Sequence, residues 1–102
     1  MVPPYIFIVD IVWRHANYKH PCVIIKYSRK SVVCIISSAL QHYKPHLDFM
    51  IDPVYEDFFY TGLDRKSYII GGQFLEIERT QLLKQIGSLS GLLGEAFDKW
   101  IG

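Results

Sequence analysis

A mainly β (α+β) domain, a small barrel with a C-terminal α-helix, is the fold predicted for this 102-residue sequence. Three observations predict it. Short runs rich in Ile, Val and aromatics recur along the first three quarters of the chain, each punctuated by Pro, Gly or Ser. An apolar stripe at helical spacing is confined to the C-terminal end. The length gives room for one core, and 50% hydrophobic residues suffice to fill it. Residues 1–102 therefore read as a single domain.

Residues 5–13 form the first strand, which Pro3-Pro4 prevents from starting earlier. Residues 22–27 form a second, opened by Pro21, and residues 31–37 a third. Ser28-Arg29-Lys30 between them is short enough for a hairpin. A polar stretch, 38–45, interrupts the apolar pattern. Leu47, Phe49 and Ile51 then alternate with Asp48, Met50 and Asp52, which predicts a strand with one buried face, ended by Pro53.

Residues 56–64 are aromatic and turn-like, with Gly62 free to take a positive φ. Residues 67–70 and 74–77 read as two further strands separated by Gly71-Gly72. In the second, Leu75 and Ile77 share one face and Phe74 lies on the other. Thr80 can cap one helical turn over 81–84, and Ile86-Gly87 gives a brief extended piece. From Ser90, the expected N-cap, Leu92, Leu93, Ala96, Phe97, Trp100 and Ile101 form one stripe of an amphipathic helix. Gly91 and Gly94 weaken its propensity, so packing must hold it.

The formal net charge of +1 decides nothing about partners, but its distribution is uneven. Between Arg14 and Lys44 stand six Lys/Arg and three His with no Asp or Glu, while the ten acids lie at Asp10 and from Asp48 onward. An acid-free, basic stretch carrying aromatics can draw a phosphate backbone, or it can be a solvated surface that lacks acids. The longest apolar run is broken by Asp10 and falls short of the roughly 20 residues that span a bilayer. With no basic leader and cleavage site at the start, a cytoplasmic location with no membrane association is the expectation. Cys22 and Cys34 sit inside apolar runs and read as reduced core residues, although a disulfide between neighbouring strands is geometrically open.

Two clusters are candidates for chemistry. Arg14-His15 and Lys19-His20-Pro21 fall in the expected connection between the first two strands, where His20 can serve as a proton carrier near neutral pH or merely decorate a loop. Ser37-Ser38 ends the third strand, followed by Gln41-His42-Tyr43-Lys44. Its hydroxyls can donate to a phosphate oxygen, and the residues after them can contact phosphate and stack on a base. The four histidines lack ligand-like spacing on a helix, and there is no CxxC pair, so neither metal nor cofactor is expected.

Taken in order, these pieces resemble the MazF/PemK toxins. Asp10-Ile11-Val12-Trp13 matches the family's opening strand, and His20-Pro21-Cys22-Val23-Ile24-Ile25 looks like its second. Val33-Cys34-Ile35-Ile36-Ser37-Ser38 is similar to its third. Gly62-Leu63-Asp64-Arg65-Lys66-Ser67-Tyr68-Ile69 and Leu83-Lys84-Gln85-Ile86-Gly87-Ser88-Leu89 resemble two later elements. The resemblance implies an SH3-like barrel that forms a homodimer, cleaves single-stranded RNA without a metal, and is neutralised by a cognate antitoxin. By the family's pattern, the basic residue at His20 and the hydroxyl at Ser37 act on the scissile phosphate. His20 as general acid/base, Ser37 bonding the phosphate and Lys19, with Arg14, supplying the charge lost from the family's Arg make His20, Ser37 and Lys19 the expected catalytic residues. Arg14, Ser38, Gln41, His42 and Lys44 are the expected RNA contacts. His20 stands where the family carries Arg and Ser37 where it carries Thr, and the loop before them is shortened to about residues 15–19.

Overall fold

The fold was analysed in a computed structural model, which describes residues 4–13 and 16–102, with Trp13 described for its backbone only. Among these residues seven strands form one sheet: β1 (Tyr5–Trp13), β2 (Ala16–Lys26), β3 (Lys30–Ser37), β4 (Phe49–Ile51), β5 (Ser67–Ile69), β6 (Leu75–Glu78) and β7 (Leu82–Ser88). The order is β4-β5-β3-β2-β1-β7, and β6 pairs with the first half of β3. Since β6 and β7 lie on opposite sides of the sheet yet only a 3₁₀ turn, Arg79–Gln81, joins them, the sheet must curl. The result is a mainly β half-barrel, compatible with a small barrel, with one C-terminal helix, α1 (Gly91–Ile101).

The curl buries both faces of the central strands. Strand alternation sends Val9 and Ile11 of β1, Cys22 and Ile24 of β2, Val33 of β3 and Ile77 of β6 to one side, where they form a cluster with Phe7, Ile35, Leu75 and Leu82 at its margin. The residues between them, Ile6, Val23, Cys34 and Ile36, face the other way and meet Ile51, Ile69 and the helix residues Leu93 and Phe97. Double burial explains why these strands read as continuous apolar runs. It also keeps the cysteines apart: Cys22 is paired with Ile35 and Cys34 with Val23, so the thiols belong to different faces, and both are free.

The structure revises several sequence expectations. β2 begins at Ala16, not after Pro21, because 16–21 pair in continuous register with β1, from Trp13↔Ala16 to Ile8↔Pro21. Pro21 is tolerated because the ladder to β3 stops at Cys22↔Ile35, which makes β2 an edge strand from Pro21 outward. The helical turn lies at Arg79–Gln81 rather than 81–84. Gln81 fixes it by accepting the Glu78 N–H at 2.8 Å and donating to the Asp10 carbonyl at 2.9 Å. That releases Leu82–Ser88 to pair with β1 as a seven-residue strand where only a brief extended piece was expected.

The alternation over 47–52 also fails at its start: Asp48 is buried and Leu47 exposed. The Asp48 carboxylate turns inward to accept the N–H groups of Lys44 and Gly71, both at 2.9 Å. Gly71 has no room for a side chain, since a Cβ there would run into the Leu47 carbonyl. In α1, Leu93 and Phe97 are buried and Trp100 joins Phe49 and Phe97 in an aromatic cluster with centroids 5.6–5.7 Å apart, whereas Leu92 and Ile101 fall outside the buried stripe. Ser90 occupies the N-cap but makes no capping bond with its side chain. Asp57, from the 3₁₀ segment Glu56–Thr61, caps the helix instead, accepting the Leu92 N–H at 2.9 Å and the Leu93 N–H at 3.4 Å. No helix among the described residues is long and apolar enough to cross a membrane.

Candidate nucleic-acid interface

The parting of β2 from β3 creates the candidate site. β3 continues past Ile35 to Ser37 by pairing with β5, through Ile36↔Ile69 and Ser37↔Tyr68, while β2 continues past Cys22 by pairing with β1 alone. An opening therefore lies between the outer half of β2 and the end of β3.

Strand periodicity decides which side chains line it. Tyr18 and His20 follow Cys22 and Ile24 at two-residue steps, so they extend the same face beyond the core, where both are exposed. Their rings sit 6.2 Å apart and tilted. Ser37 follows Val33 and Ile35 on that same face of β3. Carrying the β2–β3 register two residues beyond Cys22↔Ile35 sets His20 across from Ser37. Two of the three expected catalytic residues thus lie on one face, on either side of the point where β2 and β3 part.

The third does not join them. Lys19 lies on the opposite face, paired with Asp10 of β1. The reason is the correction to β2: in the expected loop Lys19 and His20 could turn the same way, but in a strand neighbours must alternate. Asp10 on that face accepts a long 3.5 Å hydrogen bond from the Asn17 amide. Arg14 and His15 lie outside the described residues.

Ser37 is poised as a donor. Its Oγ accepts the Ala39 N–H at 3.1 Å, which uses a lone pair and leaves the O–H proton available. The chain beyond is pinned from both ends: Tyr68 donates its hydroxyl to the Ala39 carbonyl at 3.1 Å, Tyr43 packs edge-on against the Tyr68 ring at 5.5 Å, and Asp48 holds Lys44. On this tethered connection, with its 3₁₀ turn Leu40–His42, the expected contacts Ser38, Gln41, His42 and Lys44 are all exposed. They belong to the segment that follows Ser37, so a strand bound in the opening has basic and amide groups within the next few residues.

Sequence reasoning passed over Tyr18, Tyr68 and Asp48. Tyr18 had a signal, since it stands two residues before His20 and shares its face once both are in a strand. Asp48 had none, because only the tertiary approach of Gly71 gives its carboxylate an inward partner. The thiols offer no nucleophile beside His20. Burial pushes the Cys22 thiol up to about 12, assisted by the neighbouring Cys34, and the Cys34 thiol up to about 11, so both are neutral at physiological pH. Among the described residues no group of three or more His, Cys, Asp or Glu is arranged to hold a metal ion. No family model matches the chain, and no curated protein matches it.

Proposed function

We propose that this chain is a toxin of the MazF/PemK type: a metal-independent endoribonuclease on an SH3-like barrel, acting in the cytoplasm as a homodimer on single-stranded RNA and restrained by a cognate antitoxin. The observation that carries the reading is the shared face of His20 and Ser37 at the opening between β2 and β3, beside an acid-free stretch of chain. His20 accepts the proton of the ribose 2′-hydroxyl as its oxygen attacks phosphorus. The P–O5′ bond breaks, the 5′ oxygen takes a proton from water, and the products are a 2′,3′-cyclic phosphate and a 5′-hydroxyl. Ser37 donates to a non-bridging oxygen as charge builds there. His42 and Lys44 attract the phosphates that follow, and Tyr18 supplies a ring on which a base can stack.

The test is incubation of the purified chain with single-stranded RNA in EDTA beside His20→Ala and Ser37→Ala. Loss of general base catalysis in His20→Ala should slow cleavage about 100-fold or more. If all three proteins leave the RNA equally intact, the enzymatic reading fails. One observation favours a second reading, a module that binds RNA without cutting it: Lys19, the cation nearest His20 in sequence, is turned to the other face. Salt-dependent RNA binding without cleavage is the result that reading requires.

A further inference from the structure

A second concavity lies at the other end of β2, independent of the ribonuclease reading. It is an open cleft of about 990 Å³ between α1 and the paired ends of β1 and β2. Its floor is apolar, with Phe7 and Ile25 on the strands and the exposed Tyr27 just past the end of β2, facing Ile101 on the helix. Its charge is one-sided. Glu95 and Asp98 stand three residues apart on the exposed side of α1, and no Lys or Arg is among the described residues that line the cleft.

These two carboxylates work against the helix that carries them. Like charges three apart repel, and an acid in the last turn meets the negative end of the helix dipole. Neither is in an ion pair among the described residues. The Tyr27 ring has already taken one cation, since the Arg79 guanidinium lies 4.9 Å from its centroid. A ligand that fills this cleft must present apolar groups to the floor and positive charge to the α1 rim.

We propose that the cleft binds a basic amphipathic segment of a partner protein, which inserts an aliphatic or aromatic side chain against Ile25, Tyr27 and Ile101 and sets Lys or Arg against Glu95 and Asp98. Such a segment uses the recognition mode of a helix lying in a groove, with the anchor supplying affinity and the rim charges supplying specificity.

The probe is a Leu/Phe/Lys amphipathic peptide about twelve residues long, beside the same peptide with Glu in place of Lys. Each is titrated into the isotope-labelled full chain and followed by amide chemical shifts. The Lys peptide should shift Ile25, Tyr27 and Ile101, and the Glu peptide should not. The double variant Glu95→Gln/Asp98→Asn, both positions being exposed, should keep or slightly raise its melting temperature and lose about fivefold or more in affinity. Ile101→Ser should weaken binding independently of salt. Equal binding of both peptides, no binding of either, or unchanged affinity in the double variant overturns the proposal. So do cleft resonances that move with protein concentration alone, because that assigns the cleft to a second copy of the chain.

Discussion

Replacing Asp57 by Ala tests the most consequential long-range contact of the C-terminal helix. Asp57 lies in the 3₁₀ segment Glu56–Thr61, far from α1 in sequence, yet its carboxylate takes the place of a local N-cap. One of its two bonds is well formed at 2.9 Å and the second is long at 3.4 Å. A hydrogen bond to a charged group contributes about 1.5–3 kcal/mol, and the favourable interaction with the helix N-terminus adds about 0.5 kcal/mol when partly screened. Since Asp57 is only half-buried and water can replace part of what is lost, about 2 kcal/mol is the expected cost. In a domain of this size that lowers the melting temperature by roughly 10 °C. Urea and thermal unfolding followed by circular dichroism measure it directly. Asp57→Asn, which keeps an acceptor and loses the charge, should cost about half as much. Ser90→Ala is the control: Ser90 occupies the N-cap without a side-chain bond, so its loss should stay within about 0.5 kcal/mol. If Ser90→Ala costs more than Asp57→Ala, the assignment of the cap is wrong.

Three further outcomes follow from the same reasoning. Asp48→Ala removes the acceptor of two backbone N–H groups, so it should cost about 3 kcal/mol in urea unfolding and speed proteolysis of the connection carrying His42 and Lys44. Gly71→Ala pushes a Cβ into the Leu47 carbonyl and the Trp100 ring, and should destabilise by about 2 kcal/mol or more by the same assay. The thiols predict a pH dependence. Both are raised by burial from the ordinary 9.0, Cys22 to about 12 and Cys34 to about 11, so the unfolded chain loses these protons first as pH rises. Their contribution to stability is complete below about pH 9 and is lost progressively through about pH 11–12, so the melting temperature should fall across that window in wild type and fall less in Cys22→Ala/Cys34→Ala. At pH 8 a thiol reagent should label either cysteine only upon unfolding.

Local pattern made most of the fold legible. The β-rich runs over 5–13 and 31–37, the hairpin at Ser28-Arg29-Lys30, Gly62 at φ +74° and the terminal helix all follow from residue types within a few positions of one another. What local pattern missed was decided by partners distant in sequence. Residues 16–21 have no β-rich composition, and Pro21 reads as a strand opener, yet β1 offers them a complete ladder. Residues 82–88 become a strand because β1 has a second edge to fill, and Asp48 turns inward because Gly71 approaches it. The same limit governs the candidate site. Sequence order brings Lys19 next to His20, but strand geometry divides them, while His20 and Ser37, seventeen positions apart by number, are brought to one face by register.

That register makes the core and the candidate site inseparable. Which face His20 occupies is fixed by Cys22 and Ile24, because their side chains must enter the cluster formed with Val9 and Val33. A slip of one residue in β2 would put Pro21 and Val23 in the places of this pair, push Cys22 and Ile24 toward the opposite cluster, and exchange His20 for Lys19 at the opening. The two-residue continuation from Cys22 to His20 contains Pro21, whose fixed φ stiffens the strand where its ladder to β3 has ended. A Pro21→Gly change should therefore leave the core clusters in place, since Pro21 is only partly buried and belongs to neither, while loosening the edge that presents His20. The expected signature is a modest stability loss of about 1 kcal/mol in urea and, under the proposed ribonuclease reading, a disproportionate fall in RNA cleavage or binding. Equal loss of both would mean that the edge strand and the barrel are one cooperative unit, and that the opening owes its geometry to the whole sheet rather than to the two residues beyond Cys22.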